Sequence, residues 1–167
     1  MAVIYFSSDH AGFAMKHALM EHVRTLGYET EDLGPLELDP EDDYPDFILP
    51  LAKRVAEEIG RDGDGAARGI VIGGSGQGEA MCANRVPGIR TAVFYGKVRA
   101  ADTLDVGGGH SKDGFDIVRL VRRHNDANVL SLGARFISGE EADEAVRIFL
   151  DTPFSGDERH MRRIAKY

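Results

Sequence analysis

The chain has 167 residues, of which 43% are hydrophobic and 29% charged, which is enough for one packed domain. Its formal net charge of −8 disfavours nucleic-acid binding. A single cysteine excludes an internal disulfide, and no apolar run approaches the ~20 residues of a membrane span. The apolar start lacks the basic region of a signal peptide, so we expect a soluble, cytoplasmic protein without membrane contact.

Short β-rich runs alternate with helix-like periods along the chain. We predict strands at residues 3–7, 28–33, 69–72, 90–95 and 128–132. We predict helices at residues 13–26, 47–59, 80–84, 117–123 and 140–150, with Pro50 in the first turn of the second helix. Repeated strand–helix units with nearly continuous apolar strands are typical of a parallel sheet covered on both faces. The sequence therefore predicts one α/β domain over residues 1–167, a three-layer αβα sandwich with a five-stranded parallel sheet, flavodoxin/Rossmann-like in architecture.

Two segments depart from this alternation. Residues 97–114, here called the irregular segment, are rich in glycine and are predicted to form a loop or a lid. The C-terminal residues 157–167 are strongly basic, and a helix there would place Arg159 and Arg163 on one face. Two guanidinium groups on one face suit a phosphate, although a solvated basic helix end is an equally good interpretation of this cluster alone.

The most informative stretch is residues 73–79, which read Gly-Gly-Ser-Gly-Gln-Gly-Glu directly after the third strand. Four glycines let the backbone turn tightly and approach a ligand closely. No Lys-Ser/Thr pair follows them, as a P-loop requires, and a dinucleotide fingerprint would follow the first strand. Amides at a helix N-terminus favour developing negative charge. We therefore predict a functional loop with Glu79 beside it, and a plain strand-to-helix connection is the alternative.

Further ionisable side chains follow other predicted strands. Asp9 and His10 come after the first strand and Arg135 after the fifth, so we expect them to converge with the glycine loop at one edge of the sheet. Asp9 or His10 would instead have a purely structural role if it only capped the next helix. His124 can move a proton near neutral pH, although a histidine at a helix end is more often structural. The acids and histidines lack metal-binding spacing, so no metal is predicted.

Eight motifs in chain order make the sequence resemble the ribose-5-phosphate isomerase B family, which also includes galactose-6-phosphate isomerase subunits. They lie at residues 8–12, 43–46, 73–78, 83–84, 88–90, 124–128, 133–135 and 159–163. Each motif is weak alone, but eight in order are highly specific. The resemblance implies aldose–ketose isomerisation of a sugar phosphate, with ribose 5-phosphate as the expected substrate and no cofactor. It also implies a homodimer, or a tetramer, whose active sites draw on two subunits.

The resemblance implies roles for residues outside the glycine loop. Asp9 and His124 correspond to the pair that assists opening of the sugar ring. His10, Tyr44 and Asn125 correspond to substrate contacts.

It implies two further groups of residues. The amides that would stabilise the enediolate lie at Gly74, Ser75, Gly76, Gln77 and Gly78. The phosphate ligands would be Arg135, Arg159 and Arg163, of which the last two are expected to reach the partner's site.

Position 73 departs from the pattern of many family members. They have a cysteine there that acts as the catalytic base, whereas this chain has Gly73. A branch of the family instead carries Gly-Gly-Ser-Gly-x-Gly-Glu and uses the glutamate. This chain has that form, so we predict Glu79 as the base. Cys82 lies inside a predicted helix and is expected to be a small packing residue.

The irregular segment leaves the substrate open, because it is longer than the usual connection before His124. A tetrose phosphate or a six-carbon substrate such as galactose 6-phosphate is the main alternative. A non-catalytic sugar-phosphate-binding protein and a flavin-binding protein on a flavodoxin-like fold are two others.

Overall fold

A computed structural model describes residues 3–62 and 67–167, and within them five strands form one parallel sheet. The strands are β1 (Val3–Ser8), β2 (Glu29–Asp32), β3 (Ala67–Gly73), β4 (Thr91–Phe94) and β5 (Val129–Gly133). Their order is β2-β1-β3-β5-β4, and every adjacent pair is parallel. The predicted five-stranded parallel sheet is confirmed. Its last two strands are exchanged relative to the flavodoxin order 2-1-3-4-5.

Helices cover both faces of the sheet. They are α1 (Phe13–Thr25), α2 (Pro45–Asp62), α3 (Gln77–Ala83), α4 (Asp116–Asn125), α5 (Gly139–Asp151) and α6 (Glu158–Ile164). Successive strand residues point to opposite faces. Ile70 and Ile72 therefore pack with the apolar side chains of α1, α4 and α5, whereas Val71 packs with those of α2 and α3. This arrangement confirms the three-layer sandwich.

The start of α2 differs from the prediction. We expected Pro50 in the first turn, but the helix begins at Pro45, and Pro50 lies in the second turn, which makes that prediction wrong. Pro45 suits the first helical position because its φ is already restricted and no N–H is needed there. The Ile48 amide donates to the Tyr44 carbonyl at 3.0 Å, which closes the first turn. Pro50 is exposed, so the carbonyl four residues before it can be solvated.

The C-terminal basic cluster is helical and lies largely within α6, in agreement with the sequence. The irregular segment contains neither a helix nor a strand. In the part of the chain that the structure describes, no helix is both long enough and apolar enough to cross a membrane.

Candidate active site

The site lies at the edge of the sheet where the parallel strands end. The neighbouring strands β1, β3 and β5 deliver Asp9, the glycine loop and Arg135 to this edge. Gly73 is paired with Gly133, and the Asp9 amide donates to the Ile72 carbonyl at 3.3 Å. The backbone hydrogen bonds of the sheet therefore fix the starting point of each of these groups, as the sequence predicted.

The glycine loop turns sharply between β3 and α3. Gly76 has φ of 75°, a conformation that side chains disfavour. Its carbonyl accepts hydrogen bonds from Ser131 Oγ at 2.7 Å and from the Ala80 amide at 3.1 Å. A Cβ at position 76 would also lie 3.0 Å from the Leu132 carbonyl carbon. Both the conformation and the close approach therefore require glycine at this position.

Glu79 is buried in the first turn of α3, with 4% of its surface exposed. Its carboxylate folds back onto the end of β3, where a Cβ on Gly73 would overlap both carboxylate oxygens. Glu79 therefore fills the space into which a side chain at position 73 would project. Burial raises the pKa of the Glu79 carboxyl, and the nearby Asp9 charge adds to this, while a backbone hydrogen bond opposes it. A raised pKa suits a group that must both take up and release a proton.

Asp9 combines a structural contact with a position in the site. Its Oδ1 accepts a hydrogen bond from the Gly12 amide at 3.1 Å, so it caps the short 3-10 turn His10–Gly12. The structure therefore contains the predicted capping contact of Asp9. Asp9 is also 93% buried and near enough to Glu79 to affect the pKa of that carboxyl.

His10 is held by an acid that the sequence did not single out. Its Nδ1 lies 2.7 Å from Asp42 Oδ1, and its amide donates to the same oxygen at 3.2 Å. The hydrogen bond to Asp42 raises the pKa of His10. The pair therefore favours a protonated imidazole at the mouth of the site, which suits an anionic or hydroxyl-rich ligand.

Tyr44 and Arg135 lie against two of the loop glycines. A Cβ on Gly78 would lie 2.9 Å from Tyr44 Oη, and a Cβ on Gly74 would lie 3.3 Å from Arg135 Cζ. The Arg135 amide donates to the Gly74 carbonyl at 3.1 Å, which ties the arginine to the loop. The missing side chains at positions 74 and 78 therefore let both groups approach the loop backbone.

These residues form one cleft of about 420 Å³, here called the Glu79 cleft. It is lined by Asp9, His10, Ala11, Tyr44, Gly74, Ser75, Gly78, Glu79, Arg135 and Phe136. Its size falls within the range of small-molecule sites. Gln77 opens α3 with an exposed side chain, and Gly76 is buried beneath the loop. The structure thus brings together the glycine loop and the predicted residues from the first 80 positions, with Arg135.

The remaining predicted basic residues lie apart from this cleft. His124, Arg159 and Arg163 line a separate pocket of about 190 Å³, here called the arginine pocket. Its other lining residues are Leu104, Asp105, Val106 and His160. None of them lines the Glu79 cleft. Within one protomer, Asp9 and His124 therefore do not share a site.

His124 stacks on His160 in the arginine pocket. The ring centroids are 4.2 Å apart and the planes are tilted by 14°. Burial, followed by repulsion from His160, lowers the pKa of His124, while Asp105 opposes this effect. The lowered pKa favours the neutral imidazole, which carries one donor and one acceptor nitrogen.

Asn125 lines neither the Glu79 cleft nor the arginine pocket. It lines a third cleft of about 370 Å³ together with Arg90 and Tyr167. The next residue, Asp126, ends α4 with φ of 47°, and its carboxylate bridges Arg90 and Arg122 at 2.8 and 2.7 Å. This ion-pair network fixes the end of α4, which carries both His124 and Asn125.

Comparison with known proteins identifies the family. The sequence matches the Ribose/Galactose Isomerase family over residues 4–105 and 113–167. The chain belongs to this family. Ribose-5-phosphate isomerase B from Mycobacterium tuberculosis is 37% identical over 161 residues, which cover 96% of this chain and 85% of that relative. The predicted family is thereby confirmed.

Solved structures of family members have the same fold. Ribose-5-phosphate isomerase B from Mycoplasma genitalium, with bound ribulose-5-phosphate, is 35% identical with a TM-score of 0.81, over 98% of this chain and 92% of that one. Type B ribose 5-phosphate isomerase from Trypanosoma cruzi is 32% identical with a TM-score of 0.81, over 99% of this chain and 94% of that one.

Cys82 does not compete with Glu79 as a candidate base in the structure. It is half-buried and packs against the core beside α2, which confirms its predicted role as a packing residue. Burial raises the pKa of its thiol, so the reactive thiolate is disfavoured. Within residues 3–62 and 67–167, no cluster of three His, Cys, Asp or Glu side chains is arranged to hold a metal ion.

Sequence reasoning missed Asp42 and His160. Asp42 belongs to an acidic stretch in which Glu41 and Asp43 are equally good candidates to contact His10. Only the fold shows that Asp42 makes this contact. His160 was seen as part of a basic helix. Its stacking partner is 36 positions earlier in the chain, a long-range contact that no local pattern indicates.

Proposed function

We propose that the protein is an aldose–ketose isomerase that interconverts ribose 5-phosphate and ribulose 5-phosphate through an enediolate. Membership of the ribose/galactose isomerase family and similarity to ribose-5-phosphate isomerases B support this activity. The related structure with bound ribulose-5-phosphate supports the substrate. At the level of residues, the proposal depends on one observation: the buried carboxylate of Glu79, folded against the end of β3 beside the glycine loop. The single cysteine favours a cytoplasmic location.

Isomerisation moves a proton between C1 and C2 of the open-chain sugar. In the proposed mechanism Glu79 removes the proton from C2 of the aldose, and negative charge develops on the C1 oxygen. Backbone amides of the glycine loop stabilise that charge, and losing one such donor typically lowers the rate ~10²–10³-fold. The proton of the C2 hydroxyl moves to the C1 oxygen, Glu79 returns the carbon proton to C1, and the C2 carbonyl of the ketose forms. The raised pKa of the Glu79 carboxyl favours both transfers, because a group whose pKa is nearer to the working pH can both accept and release a proton.

The position of Glu79 also accounts for the glycine at position 73. Many relatives, by the resemblance given above, carry their catalytic cysteine at this position. In this chain the Glu79 carboxylate occupies the space beside the Cα of Gly73. The Glu79 carboxylate can therefore act from the place that a cysteine side chain at position 73 would occupy.

We further propose that the working site combines two chains of a homodimer. The Glu79 cleft has the acid–base group and the loop but only one arginine, Arg135. The arginine pocket has two arginines and His124 but no part of the glycine loop. Docking the arginine pocket of one protomer onto the Glu79 cleft of its partner would supply Arg159 and Arg163 for the phosphate, and His124 to assist ring opening beside Asp9.

The activity is tested by incubating the purified protein with four-, five- and six-carbon aldose phosphates and measuring the ketose formed. We expect ribulose 5-phosphate from ribose 5-phosphate. A folded protein that isomerises none of these sugars would contradict the proposed activity.

The shared site is tested by co-expressing two impaired chains, Glu79→Gln and Arg159→Ala with Arg163→Ala, and assaying them at ribose 5-phosphate concentrations far below KM, where either defect lowers the rate. If sites are shared, each mixed dimer contains one intact site, and random pairing restores about a quarter of the wild-type activity. If each site belongs to one chain, every site carries a defect and no activity returns. The control is a mixture of the two separately purified proteins, assayed before their subunits exchange. This mixture contains no mixed dimers and should show no restored activity.

A further inference from the structure

We propose that the tip of the irregular segment, residues 104–106, limits the length of the sugar phosphate and favours substrates of five or fewer carbons over six. The inference rests on the proposed isomerase activity and on the role of the arginine pocket in it. It assigns a specificity function to a part of the chain for which the family resemblance implies no role.

The irregular segment contains a local addition to the family pattern. The match to the family covers residues 4–105 and 113–167 and is interrupted only at residues 106–112. The segment leaves β4 and returns to α4, so it starts from the same edge of the sheet as the Glu79 cleft. An insertion at this edge lies near the proposed substrate site, so it can contact a ligand without changing the packing of the core.

Hydrogen bonds hold the two arms of the segment together. The Val98 amide donates to the Gly114 carbonyl at 3.0 Å, and the Ala100 amide donates to Ser111 Oγ at 2.7 Å. These bonds define a folded hairpin-like loop and not an open one.

The tip itself is closed by a second set of hydrogen bonds. The Leu104 amide donates to the Gly109 carbonyl at 2.6 Å. Asp105 accepts from the Gly107 amide through Oδ1 at 2.7 Å and from the Gly108 amide through its carbonyl at 3.1 Å. Gly108 has φ of 82°, which this turn requires. The tip therefore has a defined shape.

This tip forms one wall of the arginine pocket. Leu104, Asp105 and Val106 line it together with Arg159 and Arg163. Val106 is 88% exposed in the protomer and lines this pocket, so its side chain is open to a ligand that enters it. Asp105 is near enough to His124 to oppose the lowering of the pKa of that ring, and as a lining residue it places a carboxylate on the same wall.

The wall constrains substrate length because both ends of the sugar phosphate are fixed. C1 and C2 must reach Glu79, and the phosphate must reach the two arginines. A sixth carbon would push the phosphate outward, towards Leu104 and Val106, and the Asp105 carboxylate would repel it there. One additional methylene in a shaped pocket changes specificity about 10–200-fold, which sets the size of the expected effect.

The experiment compares kcat/KM for ribose 5-phosphate and allose 6-phosphate in the wild type and in the Leu104→Ala, Val106→Ala double variant. The ratio compared is kcat/KM for ribose 5-phosphate divided by kcat/KM for allose 6-phosphate. We expect this ratio to fall at least about tenfold in the variant, because turnover of the six-carbon sugar increases. Neither side chain belongs to the buried core, so the variant should fold, which its Tm will verify.

A matched control is Val98→Ala. Val98 is an exposed valine of the same segment that lines neighbouring clefts but not the arginine pocket. Its ratio should stay within about twofold of the wild type, inside the usual effect of a surface substitution. An equal change in the control and the double variant would overturn the assignment of the tip.

The outcomes separate this inference from the proposed activity. A wild type that is active on ribose 5-phosphate, with an unchanged ratio in the double variant, would overturn the inference alone. A wild type that uses allose 6-phosphate as well as ribose 5-phosphate would also overturn it. A wild type inactive on every sugar phosphate would refute the isomerase activity and the inference with it.

Discussion

The Glu79 cleft and the arginine pocket are built in different ways. The cleft is assembled at the ends of three adjacent strands, and backbone hydrogen bonds fix its loop, its acid and Arg135. The arginine pocket lies between the ends of two helices and the irregular segment, and Arg163 is exposed there. The group proposed to move protons thus lies at the edge of the sheet, and two of the arginines proposed to bind the phosphate lie on the short helix α6. Changes in the cleft should therefore reduce kcat, and changes in the pocket should chiefly alter KM and substrate choice.

The largest expected effect is that of Glu79→Gln. The amide cannot accept the proton from carbon, so we expect kcat to fall roughly 10³-fold, with little change in the affinity for a sugar phosphate. Burial raises the pKa of this carboxyl, so keeping it ionised destabilises the wild-type fold above the ordinary glutamate pKa. The variant lacks this charge, and its Tm at pH 8 should therefore not be lower than that of the wild type. Steady-state kinetics and thermal unfolding measure both effects.

The control for this variant is Glu57→Gln, which changes an exposed glutamate on α2. Its kcat should match that of the wild type. Near-normal turnover in a folded Glu79→Gln protein would contradict the assignment of the base.

The next effect tests the overlap between positions 73 and 79. In Gly73→Ala the new Cβ would displace the Glu79 carboxylate, and a small misplacement of a reacting group lowers the rate about 10²-fold. In a Glu79→Ala background the same substitution has no carboxylate to displace, so it should add no further loss. A double-mutant cycle of kcat/KM measures the coupling. Fully additive losses would show that Gly73 matters for another reason.

A smaller effect should follow from Arg159→Ala with Arg163→Ala. Each charge-assisted hydrogen bond contributes ~1.5–3 kcal/mol, so KM for ribose 5-phosphate should rise at least about tenfold. Binding of unphosphorylated ribose should not change, because it lacks the group that the arginines bind. Arg162→Ala is the matched control, since Arg162 is exposed and does not line the arginine pocket. Equal losses for both sugars would contradict a phosphate-binding role.

The smallest effect concerns the His10–Asp42 pair. Because the hydrogen bond to Asp42 raises the pKa of His10, the pair stabilises the fold fully below the ordinary histidine pKa of about 6.5, and the effect is lost as pH rises through the raised pKa. In Asp42→Asn this part of the pH dependence should disappear, and the pKa of His10 should fall. Tm as a function of pH and an NMR titration of His10 measure these changes. An unchanged His10 titration would contradict the assigned cause.

Much of the cleft could be predicted from the sequence because its signals are local. Apolar runs marked the strands, and the strand ends placed the glycine loop, Asp9 and Arg135 at one edge. The glycine pattern also indicated the one acid that folds back over β3. These features depend on neighbours in the chain, which a single sequence shows.

The features that were missed depend on distant contacts. The choice of Asp42 among several acids, the stacking of His160 and the exchange of β4 and β5 each follow from how separate elements pack. The separation of Arg159 and Arg163 from the Glu79 cleft was expected only from the family resemblance, because no spacing in the sequence reveals it. The early start of α2 was missed because Pro50 was taken as the proline of the first turn, whereas Pro45 is the first helical residue.

The proposed use of the Glu79 carboxylate, in place of the cysteine that the family resemblance implies for many members, has a chemical consequence. A cysteine used as a base must stay reduced, since its thiolate is readily converted to sulfenic acid and then to irreversible products. A carboxylate undergoes none of these reactions, and the one thiol of this chain is half-buried in packing with its pKa raised. An isomerase that relies on Glu79 should therefore keep working under peroxide or thiol-alkylating reagents that silence its cysteine-dependent relatives.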